Sequence, residues 1–141
     1  MKSGDDHWPP YCCVILIDEA GRYVMEQRPP AEAARTGGLT CLGGGREPDE
    51  HPDLCIVREL QEEIGWTPPE IRRIATFSIG ERLVAWFYTA RYSGEPPIHR
   101  ESGYSIELIS AAEVTGPRVS RWHRAVFDGW LRGETHIRIA P

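Results

Sequence analysis

Glu59, Glu62 and Glu63 lie within five residues of one another, and a run of three glycines, residues 43–45, precedes them in the chain. Carboxylates one helical turn apart repel each other unless a cation lies between them. Carboxylate oxygens are ligands that suit Mg²⁺. Glycines without side chains let the backbone come close to a bound phosphate. Together these features indicate metal-assisted chemistry on a phosphorylated compound.

The three glutamates belong to a predicted helix with clear boundary signals. Pro52 suits the first turn, because its missing N–H costs no hydrogen bond there. Gly65 favours an end to the helix, and the prolines that follow at 68 and 69 prevent its continuation. At about 100° per residue the glutamates share one side of the helix, beside an apolar stripe that packs on the sheet. The stripe consists of Ile56, Val57, Leu60 and Ile64.

The rest of the sequence predicts several strands, a loop and a closing helix. Residues 11–17 are a continuous apolar run, which is typical of a strand buried on both faces. A turn follows, and residues 22–28 are predicted to be a second strand that forms a hairpin with the first. Further strands are predicted at 39–42, 71–77, 82–92, 104–109 and 135–139, a loop at 29–38, and a closing helix from 119 to 133. Such a mixture indicates an α/β domain with a mixed sheet.

Composition limits the class of protein. The 141 residues and 40% hydrophobic content favour one domain over 1–141, with residues 1–9 as a loose lead-in. A net charge of -5 argues against a nucleic-acid polymer as partner. We see neither a membrane-spanning run nor a signal peptide, so we expect a cytoplasmic protein with no membrane contact.

The cysteines show no Cys-x-x-Cys spacing, which argues against a zinc site. We expect four reduced and mostly buried thiols. They are Cys12, Cys13, Cys41 and Cys55.

A longer pattern surrounds the glutamates: Gly44, five residues, Glu50, seven residues, and then residues 58–66. It resembles the Nudix box of the Nudix hydrolases, which reads glycine, five residues, glutamate, seven residues and Arg-Glu-apolar-x-Glu-Glu-x-Gly-apolar. Every defined position from Gly44 to Trp66 is filled. The resemblance implies an α/β/α sandwich with a mixed sheet and a catalytic loop–helix–loop at its edge.

The resemblance also implies roles for the box residues. Family members cleave a nucleoside diphosphate linked to another group, using Mg²⁺ or Mn²⁺. The implied metal ligands are the Gly43 carbonyl, Glu59, Glu62, Glu63 and, through water, Glu50. Arg58 would orient Glu59, and Glu59 or Glu62 would take the proton of a metal-bound water that attacks phosphorus.

A weaker similarity concerns the MutT-like branch, which converts nucleoside triphosphates to monophosphate and pyrophosphate. Arg28 lies where that branch often has a phosphate-contacting arginine. Trp86 and Tyr88, with Phe77, are candidates for stacking on a base. Glu101 and Glu107 are candidates for a general base outside the box. The full set of candidate substrate contacts is Arg28, Gly44, Gly45, Trp86, Tyr88, Glu101 and Glu107.

Departures from the family pattern leave the substrate open. Leu42 stands where the family usually has proline, and Asp49 stands where it commonly has glycine. Gly45 stands where the MutT-like branch often has lysine. The alternatives are nucleotide sugars, dinucleoside polyphosphates or ADP-ribose, and, in a different class, a nucleotide-sensing module without turnover. The expected partner is a small-molecule nucleotide. The oligomeric state, including a homodimer, stays open.

Overall fold

The computed structural model describes residues 7–141 and contains one seven-stranded mixed sheet with helices against both faces. The strands are β1 (Tyr11–Asp18), β2 (Tyr23–Gln27), β3 (Thr40–Gly45), β4 (Arg72–Ile79), β5 (Arg82–Tyr92), β6 (Ser105–Ile109) and β7 (His136–Ile139). The helices are α1 (Pro30–Thr36), α2 (Pro52–Ile64) and α3 (Arg121–Leu131). The predicted α/β sandwich is confirmed.

The strand order is β6-β2-β3-β1-β5-β4-β7, so β1 lies at the centre. Strand β1 pairs with β3 antiparallel and with β5 parallel, and it forms the predicted hairpin with β2. Val14, Ile15 and Leu16 are each at most 1% exposed. The apolar run of β1 is therefore buried on both faces, as its sequence indicated.

Each face of the sheet has its own core. On one face α3 packs through Val126 and Phe127, with Phe127 edge-on to Tyr23 at 5.6 Å between ring centroids. On the other face α2 packs through Ile56 and Leu60. The sheet thus separates the two helices and fixes which strand side chains can reach each of them.

Two elements differ from the sequence prediction. The segment predicted as a loop contains α1, a seven-residue helix that begins with proline and ends at Gly37 in the left-handed conformation. Strand β3 extends to Gly45, because Gly43, Gly44 and Gly45 pair with β1 although glycine is a poor strand former. Pairing with a central neighbour outweighs local propensity here.

The prediction of four reduced thiols is wrong for one pair. Cys12 on β1 and Cys55 on α2 form a disulfide in the structure, whereas Cys13 and Cys41 are free. Alternation along β1 turns Cys12 toward α2. The partners are 43 residues apart in sequence, so no local spacing pointed to the bond.

Six residues of the predicted lead-in 1–9 lie outside the described part of the chain. Of the others, Pro9 is buried and its carbonyl accepts a hydrogen bond from Arg46 Nε at 3.0 Å. Trp8 meets His51 edge-on at 4.9 Å. Within 7–141, no helix has the length and apolar character that crossing a membrane requires.

Candidate active site

Helix α2 begins and ends where the sequence indicated. His51 caps its start, since its Nδ1 accepts a hydrogen bond from the Asp53 N–H at 3.0 Å. Gly65 closes it in the left-handed conformation, and its N–H donates to Gln61 O at 3.0 Å. The buried Ile56 and Leu60 hold the helix on the sheet, so its glutamates lie beside β3.

Arg58 connects three of the predicted carboxylates. Its Nε and Nη2 donate to the two oxygens of Glu50 at 2.7 and 2.8 Å, and its Nη1 reaches Glu59 at 3.1 Å and Glu62 at 3.2 Å. The hydrogen bonds that Arg58 donates to Glu50 lower the pKa of Glu50. Glu50 also accepts the Glu47 N–H at 3.1 Å. Glu50 therefore braces the loop before the helix.

Glu59 packs against the glycine run. A Cβ at Gly44 would lie 2.6 Å from the Glu59 carboxylate, so a side chain at this position would displace that carboxylate. The Glu59 side chain is only 12% exposed, and burial raises its pKa. The Glu62 side chain, by contrast, is 55% exposed.

Glu63 is the deepest of the three glutamates, at 3% exposure. Its Oε1 accepts the Gly43 N–H at 3.0 Å. Burial and the adjacent Glu26 carboxylate raise the pKa of Glu63 well above its usual range. The two neighbouring carboxylates therefore disfavour each other's ionisation, and a proton or a cation between them would relieve the repulsion.

His99 completes this buried cluster. Its Nε2 lies 2.6 Å from Glu26 Oε1, and its Nδ1 accepts the Glu101 N–H at 3.1 Å. Because Nδ1 accepts, the ring proton of a neutral His99 is on Nε2 and is donated to Glu26. The sequence prediction missed both residues. Glu26 lies two residues after Val24 on β2, so it shares the sheet face that packs on α2, and this alternation could have predicted its position. No comparable pattern in the sequence marks His99.

The donor set suits a hard divalent cation. The carboxylate oxygens come from Glu59, Glu62 and Glu63. Burial raises the pKa of Glu59 and of Glu63 because it disfavours their charged forms, and a bound cation would offset that cost. Glu26, Glu63 and His99 bring three ligand atoms within 4.8 Å of one another. Of the three box glutamates only Glu63 belongs to this group in the described residues, while Glu59 and Glu62 are paired with Arg58. The carboxylate chemistry of the three glutamates fits the Mg²⁺ or Mn²⁺ that the box implies.

A cavity of about 550 Å³ opens beside these glutamates, on the α3 side of the sheet. Gly43 and Gly44 form part of its wall, so the backbone separates the carboxylates from the cavity. Its apolar wall comprises Cys13, Cys41, Phe77, Val84, Ala85 and Phe87. Three arginines also line it, namely Arg28, Arg35 and Arg121. The cavity thus combines an apolar interior with positive charge.

The structure brings some predicted substrate contacts to this cavity and not others. Arg28 and Gly44 line it, and so does Phe77. Trp86 and Tyr88 do not, because the pairing of β5 with β1 turns them toward α2. These two rings therefore cannot stack on a base bound in this cavity.

Trp86 and Tyr88 have structural partners of their own. Tyr88 is 1% exposed and donates its hydroxyl hydrogen to Asp53 on α2. Trp86 lies under the Arg73 guanidinium, 4.0 Å from its ring centroid, and near His51. Both rings help to hold the sheet against the start of α2.

The remaining candidates lie outside the cavity lining. The Gly45 carbonyl accepts a hydrogen bond from Arg58 Nη2 at 3.1 Å. Glu107 is 3.4 Å from Arg118 on the surface. Glu101 is near enough to Glu59 for its charge to contribute to the raised pKa of that carboxylate. Of the two proposed additional bases, the structure therefore brings Glu101 toward the glutamate cluster.

The class of protein is defined by its fold, an α/β sandwich, and by its site, in which carboxylates pack against a run of glycines. The NUDIX domain model matches residues 7–129. A prenyl-diphosphate phosphatase of Methanosarcina mazei is 29% identical over 113 residues, which cover 80% of this chain but only 65% of that relative. An 8-oxo-dGTP diphosphatase of Escherichia coli is 33% identical over 93 residues, 59% of this chain and 67% of that protein.

Solved structures agree on the fold. The MutT protein of Bacillus halodurans superposes with a TM-score of 0.70 at 17% identity, covering 93% of this chain and 90% of that one. The chain belongs to the NUDIX family.

Proposed function

We propose that this protein is a Mg²⁺-dependent hydrolase of diphosphate linkages that converts a nucleoside triphosphate to the monophosphate and pyrophosphate. The 33% identity to an 8-oxo-dGTP diphosphatase supports a nucleotide substrate. The geometry supports the reaction type, since carboxylates for a cation and arginines for phosphates lie on the two sides of the Gly43–Gly44 backbone.

The observation that carries this proposal is the contact between the Glu59 carboxylate and Gly44, which also lines the cavity. A phosphate chain bound in the cavity at Gly44 would have only the glycine backbone between it and Glu59. A cation held by Glu59, Glu62 and Glu63 would offset phosphate charge and acidify a bound water. Glu59 or Glu62 would accept its proton, and Arg28 would contact the phosphates.

The test is a panel of ribo- and deoxyribonucleoside triphosphates, 8-oxo-dGTP included, incubated with Mg²⁺ and analysed for products. Glu62→Gln should abolish product formation without unfolding the protein, because Glu62 is exposed. Glu70→Gln, also on the surface, is the matched control. The proposal fails if no nucleotide is cleaved, or if Glu62→Gln cleaves as fast as the wild type. Nucleotide binding without cleavage would indicate a sensing module.

A second candidate is hydrolysis of an isoprenoid diphosphate. It is favoured by the apolar lining of the cavity, in which the described residues include no Asp, Glu, Asn or Gln. The Methanosarcina relative, a prenyl-diphosphate phosphatase, points the same way. Phosphate release from geranyl or farnesyl diphosphate, with no cleavage of the nucleotide panel, would establish this candidate in place of the first.

A further inference from the structure

Tyr104 precedes β6 directly and is not among the residues that line the cavity. Its ring stacks on that of His99, with 4.9 Å between the ring centroids and 21° between the ring planes. Its hydroxyl donates a hydrogen bond to Glu32 Oε2 on α1 at 2.7 Å. The adjacent Gly103 lies against Pro29, since a Cβ at Gly103 would lie 3.1 Å from Pro29 Cγ. The chain before β6 therefore covers the start of α1.

Glu32 connects Tyr104 to Arg28, which lines the cavity. The oxygen that accepts the tyrosine hydroxyl, Glu32 Oε2, also accepts a hydrogen bond from Arg28 Nη1 at 3.3 Å. The other contacts of the guanidinium are looser, with Nε 3.4 Å from Thr40 Oγ1 and Nη2 3.7 Å from Glu26 Oε2. Glu32 thus holds one end of the guanidinium, and Tyr104 fixes the place of Glu32.

The Arg28 guanidinium keeps donors for a ligand. It has five N–H groups. Within residues 7–141 we find hydrogen bonds from its Nε and from its Nη1, to Thr40 and to Glu32. The N–H groups that remain are suited to phosphate oxygens, provided that the guanidinium is held in place.

Helix α1 has few other means of keeping its position. None of its seven residues is buried, and so short a helix has little stability of its own. It begins two residues after Arg28, and it carries Arg35, which also lines the cavity, in its last turn. The contact between Tyr104 and Glu32 therefore bears on two of the three arginines of the cavity wall.

The charges of this chain of contacts are well defined. The hydrogen bond from Tyr104 is the main cause that lowers the pKa of Glu32. The same hydrogen bond raises the pKa of Tyr104 to about 12. At neutral pH a neutral hydroxyl thus holds a carboxylate, and the carboxylate in turn holds Arg28.

We propose that Tyr104 is a positioning residue that acts through Glu32 to hold the Arg28 guanidinium on the cavity wall, where it binds phosphate. This inference rests on the proposed function, in which Arg28 contacts the phosphates. It adds that the affinity for the phosphate chain is set in part from outside the cavity, by the segment between β5 and β6.

The first test is Tyr104→Phe, which keeps the ring on His99 and removes only the hydroxyl. Tyr92→Phe is the matched control, because it also loses one hydrogen bond, from its hydroxyl to the Glu95 carbonyl at 2.6 Å. For the nucleotide of the panel that the wild type cleaves fastest, Tyr104→Phe should raise KM by about three- to tenfold with kcat nearly unchanged. Tyr92→Phe should have the wild-type KM.

A double-mutant comparison separates positioning from general loosening of the fold. If Tyr104 acts through Arg28, adding Tyr104→Phe to Arg28→Gln should raise KM no further than Arg28→Gln alone. Glu32→Asp covers the case in which Tyr104→Phe does not fold, because Glu32 is partly exposed and the shorter side chain cannot reach both partners. It should raise KM as Tyr104→Phe does, and again have no effect beside Arg28→Gln.

Two results would overturn the role of Tyr104 and leave nucleotide hydrolysis intact. One is a wild-type KM in both Tyr104→Phe and Glu32→Asp. The other is a rise in KM that is as large beside Arg28→Gln as it is in the wild-type background. A wild-type protein that cleaves no member of the nucleotide panel overturns the proposed function and this inference together.

Discussion

Arg58 binds both carboxylate oxygens of Glu50, through Nε at 2.7 Å and Nη2 at 2.8 Å. The contact joins α2 to the loop that precedes it, across eight residues of sequence. The same guanidinium reaches Glu59 and Glu62 through Nη1. The position of one side chain thus fixes the loop and two of the proposed metal ligands together.

Replacing Arg58 by lysine should therefore cost both stability and activity. An ammonium group cannot form the two-pronged contact with Glu50 and reach Glu59 as well. We expect the free energy of unfolding in urea to fall by about 1–2 kcal/mol and kcat by at least about tenfold. Arg72→Lys, on an exposed part of β4, serves as the control. An Arg58→Lys protein with wild-type stability and kcat would contradict this role.

Tyr88 and Phe77 should respond differently to substitution, because they lie on opposite faces of the sheet. Tyr88→Phe removes the hydroxyl that bonds Asp53, so unfolding should become easier by about 1 kcal/mol while KM stays unchanged. Phe77→Leu removes part of the cavity wall and should raise KM several-fold for whichever substrate is cleaved. Urea unfolding and steady-state kinetics on both variants decide this. A raised KM in Tyr88→Phe would return that ring to the substrate site.

The same pair shows where sequence reasoning stops. Helix α2 could be predicted to the residue, since Pro52 and Gly65 are local signals for its two ends. The sheet face on which Trp86 and Tyr88 lie depends on the pairing of β5 with β1, more than 60 residues away in the chain. Both faces of the sheet are covered by helices, so alternation along β5 could not distinguish the cavity side from the α2 side.

The interior of the site escaped prediction for a related reason. The box pattern identified Glu63, but the residues that set its chemistry, Glu26 and His99, are 73 residues apart in sequence. Nothing local marks His99, which lies in a segment without helix or strand. Contacts of this kind follow from the assembled sheet and not from a motif.

The cysteine pairing leads to a direct chemical prediction. When the protein is denatured without reductant and treated with iodoacetamide, Cys13 and Cys41 should be labelled, and all four cysteines should be labelled after reduction. Reduction should lower the free energy of unfolding by about 2–4 kcal/mol, since the bond closes a long loop. Mass spectrometry counts the labels. Four labels before reduction would show that Cys12 and Cys55 are not bonded.

The raised pKa of Glu63 predicts how stability depends on pH in the metal-free protein. The unfolded chain releases the Glu63 proton near the ordinary pKa of 4.5, whereas the folded chain keeps it to higher pH because of burial and the nearby Glu26. Above pH 4.5 the folded state therefore binds more protons, and the free energy of unfolding falls as pH rises. This stabilisation is complete below pH 4.5 and is lost as pH approaches the raised value.

Glu63→Gln should remove most of this slope, because an amide of the same shape holds its place beside Glu26 without a titratable proton. In EDTA, urea unfolding at pH about 5.5, 7 and 8.5 should show the wild type losing up to about 1.4 kcal/mol per pH unit. Glu63→Gln should lose distinctly less and be the more stable protein at the highest pH, although its affinity for Mn²⁺ should be lower. Glu62→Gln, on the exposed side of the same helix, should keep the wild-type slope. If Glu63→Gln has the wild-type slope, the proton does not reside on Glu63, and the buried glutamate pair titrates elsewhere in the cluster.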